Sequence, residues 1–237
     1  MNAPIRLLIH GATGRMGQAL LWLAAQAPAD FTVVAAVSRK PSQRVVDGVP
    51  QFAAAELNGV PAFDVAVDFS QPEAFDAVLA ACVARKAAFV SGTTGLSDAQ
   101  RVALDEAARV IPVLWASNFS VGVAVLADAV ARASRALPGW DCDIVEAHHA
   151  GKRDAPSGTA LSLGEAATAG GATPRYASLR AGDIVGEHTV QFSGMGERVE
   201  FIHRATTRDV FAHGALQAAE WLAARAPGRY RMADLLG

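Results

Sequence analysis

A chain of 237 residues, 51% apolar and 19% charged, is long enough to bury one large core or two smaller ones. Its formal net charge of -2 and its scattered Lys and Arg residues exclude a polyelectrolyte tail, and a nucleic-acid partner would need a basic stripe that is not there. With aromatic residues at 7% there are few stacking platforms, so the expected partner is a small molecule.

The first apolar run, Ile5 to Ile9, is broken by Arg6 and is too short for a signal sequence or a membrane span. It predicts a buried strand through His10, and the chain is expected to be cytoplasmic without a membrane partner. A helix over Met16 to Ala27 and a strand over Thr32 to Val37 complete one βαβ unit. Asp64 to Phe69, Ala88 to Ser91 and Ile111 to Trp115 are further strands, separated by helices over Pro72 to Arg85 and Ser97 to Arg109, with Pro72 and Ser97 placed where helices begin. The pattern through Trp115 predicts an α/β, doubly wound parallel sheet. From Cys142 the pattern changes to a strand over Asp143 to Ala147, a loop, a helix from Ser157, and two long extended stretches, Val185 to Phe192 and Arg198 to Arg204. This reads as a second, smaller α+β domain with a mixed sheet. The amphipathic stretch Asp209 to Ala226 is expected to return to the first sheet. The domains are therefore drawn as 1–119 with 208–237, and 120–207. Cys82 and Cys142 have no zinc-like spacing, so they read as buried thiols, with neither a disulfide nor a metal expected.

Directly after the first strand stands His10-Gly11-Ala12-Thr13-Gly14-Arg15-Met16-Gly17. Glycines let a backbone turn tightly and approach a pyrophosphate, whose charge the unpaired N–H groups of the helix start would meet. The spacing is GxxGxxG and not the strict GxGxxG, so it is the position after strand one that makes this a Rossmann-type dinucleotide site. Where an NAD-preferring site carries an acidic residue, the sequence has Ser38-Arg39-Lys40. These are either solvated loop charges or partners for a 2′-phosphate, and their place at the strand end points to NADPH, with NADH also usable. Gly92-Thr93-Thr94-Gly95 and Ser117-Asn118-Phe119-Ser120 follow later strands, on the side where open α/β sheets bind ligands, and are expected near the nicotinamide half.

The densest polar run is Glu146 to Leu161, reading EAHHAGKRDAPSGTAL. Neighbouring strand residues face opposite ways, so His148 and His149 serve different partners and are not a metal pair. Ser157-Gly158-Thr159 reads either as plain helix capping or as an anion cradle, and two histidines with Lys152 just ahead of it favour the cradle. A site for an anionic substrate with a proton donor in it follows.

This run resembles the signature of the dihydrodipicolinate reductases, and the likeness extends to Gly11 to Gly17, Asp68-Phe69-Ser70, Ser91 to Gly95, Ser117 to Val121, Gly186-Glu187-His188 and Phe211 to Leu222. The resemblance implies that His148 and Lys152 are catalytic, Lys152 being the expected proton donor. It implies that His149, Lys152, Ser157, Gly158 and Thr159 bind the substrate's carboxylates. Gly11, Ala12, Thr13, Gly14, Arg15, Met16, Arg39, Gly92, Thr93, Thr94, Ser117, Asn118 and Phe119 would then lie along the cofactor. It also implies a second domain that binds substrate and assembles a homotetramer. The chain departs from relatives at Ala150 and Gly151, where some carry basic or aromatic side chains, and at Ser38, where those that use NADH well are acidic. Two rival readings are weaker. A semialdehyde dehydrogenase-like enzyme would need Cys142 as nucleophile, but that thiol starts an apolar strand with no base beside it. A non-catalytic NADPH-sensing protein would have no use for His148, Lys152 and the cradle together.

Overall fold

The first apolar run forms β1 (Ile5–His10), whose last four residues are buried. The computed structural model describes residues 3–237. The chain continues through α1 (Arg15–Gln26), β2 (Phe31–Ser38), a short hairpin of β3 (Val45–Val46) and β4 (Val49–Ala53), β5 (Val65–Asp68), α2 (Pro72–Arg85), β6 (Ala88–Ser91), α3 (Asp98–Ala107) and β7 (Pro112–Trp115). Then come α4 (Val121–Ala136), β8 (Asp141–His148), α5 (Gly158–Ala169), β9 (Pro174–Arg180), β10 (Gly186–Gly194) and β11 (Glu197–Ala205), before α6 (Asp209–Ala223) and β12 (Gly228–Tyr230). Two compact units result, one from the chain up to Phe119 with Phe211–Leu235, the other from Ser120–Val210 with the last two residues.

In the first unit the strand order is β12-β7-β6-β5-β1-β2-β4-β3. Pairing is parallel except in the β3–β4 hairpin. Strands buried on both faces need no polar alternation, which is why β5 (VAVD) and β6 (AFVS) read as short apolar runs with a polar residue only at the end. The order reverses direction from β1, β2 to β1, β5, β6, so the ends of β1 and β5 open on a switch point, the usual ligand position in such sheets. Helix starts follow local chemistry. Pro72 opens α2, and Ser97 caps α3 by accepting from the Gln100 N–H.

The second unit has a four-stranded mixed sheet, β11-β10-β8-β9, antiparallel except for β8 with β9. Its core sets Leu126 and Val130 of α4 and Leu163 of α5 against Ile144, Val190 and Phe192.

Five features differ from the sequence expectation. Helix α4 is not foreseen, because Val121, Val123 and Val125 alternate as in a strand while Leu126 and Val130 follow helical spacing, so the two periods compete locally. Strand β9 is mostly exposed and has little apolar contrast. The β3–β4 hairpin and β12 are too short to carry a period. Helix α6 stops at Ala223 instead of Ala226, since Pro227 disfavours helical backbone in the residue before it.

Candidate active site

In the first unit a cleft of 620 Å³ opens at the ends of β1, β2 and β5, lined among others by His10, Gly11, Thr13, Gly14, Arg39 and Ser70. Gly11 has a left-handed backbone (φ +80°), and a Cβ there would sit 2.3 Å from the Phe69 carbonyl oxygen. Gly14 caps α1 without a side-chain hydrogen bond, and the first turn of α1 has no acidic residue. The helix start is therefore left to attract an anion. Arg15 and Thr94 are exposed, whereas Ala12 is buried, with its N–H donated to the Val37 carbonyl and its own carbonyl accepting from Gln18. Arg39, exposed, is the first residue beyond β2.

Behind this cleft lies a buried hub. The Asp68 carboxylate, fully buried, accepts from His10 Nδ1 (2.8 Å), Ser91 Oγ (2.8 Å), Thr93 Oγ1 (2.8 Å) and the Ser70 N–H (3.2 Å). Burial works to raise this carboxyl, but the bonds from His10, Ser70 and Thr93 hold it below its ordinary value. One side chain thus ties together the loops after β1, β5 and β6. Thr93 is committed to that hub, and Trp115 Nε1 donates to its carbonyl at 2.8 Å. Phe119 is buried with its ring edge-on to Phe69, centroids 5.3 Å apart. Of the predicted cofactor residues, Gly11, Thr13, Gly14 and Arg39 line the cleft, while Ala12, Arg15, Met16, Gly92, Thr93, Thr94, Ser117, Asn118 and Phe119 are not among its lining. Sequence reasoning missed His10, Gln71 and Glu73 as lining residues, for which a strand end and a helix start give no distinguishing local signal.

In the second unit β8 ends on Glu146 and His148, two residues apart and so on one face. Both are buried. His148 Nδ1 lies 2.5 Å from Glu146 Oε2, and Arg180 of β9 grips both carboxylate oxygens through Nη1 (2.9 Å) and Nη2 (2.7 Å). The Ser157 N–H donates to Glu146 Oε1 at 3.3 Å. Burial works to raise the Glu146 carboxyl, but hydrogen bonds from Arg180, Ser178 and His148 outweigh it and hold it at about 2. His148 is lowered from its ordinary value, first by burial, with Glu146 opposing.

Ser157 caps α5 by accepting from the Ala160 N–H at 3.2 Å, and its Oγ lies 3.1 Å from His188 Nε2. The space in front of Gly158 is open. Lys152 is held on the intervening loop by an ion pair to Asp154 Oδ1 at 2.8 Å. His188, buried with its ring edge-on to His148 at 5.2 Å, is pushed down to about 4, mainly by burial and then by His148. The structure therefore gathers His148, Ser157 and the added His188, Glu146 and Arg180 into one network, with Lys152 on the loop joined to it by the Arg180 Nη2 bond to the Asp154 carbonyl. His149 lies one residue beyond the end of β8 and is part-exposed. Arg180 was missed because β9 was missed: it stands directly beside His148 in the parallel register.

The family description "Dihydrodipicolinate reductase, N-terminus" matches residues 5–119, and "Dihydrodipicolinate reductase, C-terminus" matches residues 122–236. The chain belongs to the dihydrodipicolinate reductase family. A relative named 4-hydroxy-tetrahydrodipicolinate reductase from Stenotrophomonas maltophilia (strain R551-3) is 69% identical over 236 residues, covering 99% of each chain. One of the same name from Xanthomonas campestris pv. campestris (strain B100) is 66% identical over 235 residues, again covering 99% of each. Among solved structures, a dipicolinate-bound dihydrodipicolinate reductase from Paenisporosarcina sp. TG-14 superposes with a TM-score of 0.78 at 21% identity, covering 96% of this chain and 97% of that one. That likeness is one of fold, and it agrees with the two-part α/β architecture expected for the family. Cys142 is buried and burial raises its thiol, which removes the physical basis for a nucleophilic cysteine. Among the described residues no group of His, Cys, Asp and Glu is arranged to hold a metal, and no helix is long and apolar enough to cross a membrane.

Proposed function

We propose that this member of the family reduces 4-hydroxy-tetrahydrodipicolinate to tetrahydrodipicolinate in the diaminopimelate route to lysine, with NADPH as the preferred reductant and NADH also accepted. In balance, the ring gains a hydride and a proton and loses its hydroxyl as water. The observation that carries the reading is the buried Glu146–His148 pair beside the Ser157 cap and the Lys152 loop, in a chain 69% identical to a relative of that name.

The nicotinamide cofactor, when bound, supplies the hydride. Gly11, Thr13, Gly14, Arg15 and Met16 would hold its pyrophosphate at the start of α1, and Gly92, Thr93, Thr94, Ser117, Asn118 and Phe119 its nicotinamide half. His149, Ser157, Gly158 and Thr159 would receive the ring's carboxylates. Hydride arrival leaves electron density on the ring, so an ammonium nearby stabilises it and delivers the proton, a role given to Lys152 with His148 assisting. A coupled assay tests the whole: the ring is generated from pyruvate and aspartate semialdehyde by the synthase, and NADPH consumption is followed. No consumption above the uncatalysed rate would defeat the reading.

Preference for NADPH rests on Arg39 at the cleft and on Ser38 in the place of a carboxylate. Arg39→Ala should weaken NADPH by about tenfold or more while leaving NADH nearly unchanged, because one charge-assisted pair contributes about 1.5–3 kcal/mol. Equal losses for both cofactors in a binding titration would refute this.

A homotetramer is supported by the second unit's sheet. On the face opposite Ile144 and Val190, Val145 of β8 (45% exposed) and Ile202 of β11 (44%) flank Thr189 of β10, and Leu179 of β9 (54%) stands beside Ala147, two positions along from Val145. These exposed apolar side chains stand among charged and polar neighbours such as Asp143, Glu187 and Arg204, and symmetric association would cover them. Light scattering should return four times the chain mass of 24.6 kDa. Val145→Glu with Ile202→Glu should lower that mass, and a wild-type monomer across a wide concentration range would refute the assembly.

A further inference from the structure

The role given to His148 depends on which nitrogen carries its proton, and the surroundings decide it. Glu146, 1% exposed, is an ionised carboxylate that can only accept. Besides the bond from Ser178, four contacts divide evenly between its oxygens: His148 Nδ1 and Arg180 Nη1 on Oε2, Arg180 Nη2 and the Ser157 N–H on Oε1. The guanidinium fork prevents the carboxylate from rotating, and Arg180 Nη2 also donates to the Asp154 carbonyl at 2.5 Å. Meanwhile His148 Nε2 lies toward Gly186, where a Cβ would come within 3.1 Å of it. We propose that Glu146, clamped by Arg180, is the positioning residue for His148, holding the imidazole with its proton on Nδ1 and keeping Nε2 open to exchange a proton with the substrate.

This deepens the active-site reading and rests on it, since it assigns a task to a group acting through His148. Asp–His and Glu–His pairs generally act in this way, the carboxylate setting tautomer and orientation while remaining ionised. The charged and titratable groups that face His148 are Glu146 on its own strand, Arg180 on β9, His188 on β10 and Lys152 on the loop. Glu146 is the anion among them, so its replacement by a neutral isostere must make the imidazole harder to protonate.

The test begins with the unmodified protein. Two-dimensional proton–nitrogen NMR on the full chain labelled with ¹⁵N-histidine, with His148 assigned by its loss in His148→Asn, should show the neutral Nδ1–H tautomer. An Nε2–H tautomer overturns the proposal, and this arm needs no Glu146 variant to fold. In Glu146→Gln the His148 titration midpoint should move down by about one unit or more. The turnover number should fall by about tenfold or more with NADPH affinity unchanged. A midpoint that stays in place in folded Glu146→Gln overturns the proposal, because losing an anion bonded to Nδ1 must make the imidazole harder to protonate. Failure of the active-site reading is distinguishable: it would appear as wild-type turnover in His148→Asn, a result that leaves the tautomer measurement standing.

Discussion

Lys152→Ala is expected to turn over at about one hundredth of the wild-type rate or less, the usual cost of deleting a proton donor. The local structure makes this a clean experiment. Lys152 lies on a loop whose backbone is fixed independently of its side chain, by the Lys152 N–H bond to the His149 carbonyl at 3.0 Å and by the Arg180 bond to the Asp154 carbonyl. Truncation removes the ammonium and its ion pair with Asp154, a pair more than half exposed on the Asp154 side, where little stability resides. The substrate's Michaelis constant should also rise, because an ammonium at a dianion's site contributes to ground-state binding as well as to the transition state. His148→Ala should lower turnover comparably and disturb that constant less. Steady-state kinetics on both variants, with NADPH binding measured by calorimetry, provide the check. Near wild-type turnover in Lys152→Ala would move proton delivery to another group or to water.

Gly11→Ala should lose both stability in the first unit and affinity for NADPH. A side chain at φ +80° costs about 1–2 kcal/mol on its own. Steric overlap costs more. The new Cβ would fall 2.3 Å from the Phe69 carbonyl oxygen and 2.7 Å from its carbon, and these backbone atoms have no rotamer to escape into. Phe69 is itself anchored, its N–H donating to the His10 carbonyl at 3.1 Å beside the Asp68 hub. Relief therefore requires β1 and β5 to separate at the proposed pyrophosphate site, and a total cost of about 3 kcal/mol or more is expected. Gly14→Ala is the control. Its backbone is ordinary and its Cβ would meet the Gly11 oxygen at 3.2 Å, so the protein should fold while NADPH affinity falls. Thermal unfolding and NADPH titration of the two variants separate these effects. A Gly11→Ala protein as stable as wild type would contradict the geometry.

Features set by neighbours along the chain were legible in the sequence. The apolar runs of β1, β5 and β6, the glycine turn into α1, Pro72 opening α2, and the caps at Ser97 and Ser157 all follow from sterics and hydrogen bonding within a few residues. So did the placing of His148, Lys152 and Ser157 in one segment. Tertiary structure alone decided what those residues face. The parallel register of β8 with β9 sets Arg180 beside His148, across 32 positions of chain, and the strand carrying it has no period to announce it. The Asp68 hub likewise joins side chains from three strand ends. Helix α4, whose valines alternate like a strand, became a helix because its Leu126 and Val130 bury against Ile144 and Phe192. Propensity and capping act over a turn or two, whereas a buried carboxylate must find its partners wherever register brings them, and register is determined only when both faces of a sheet have found their cover.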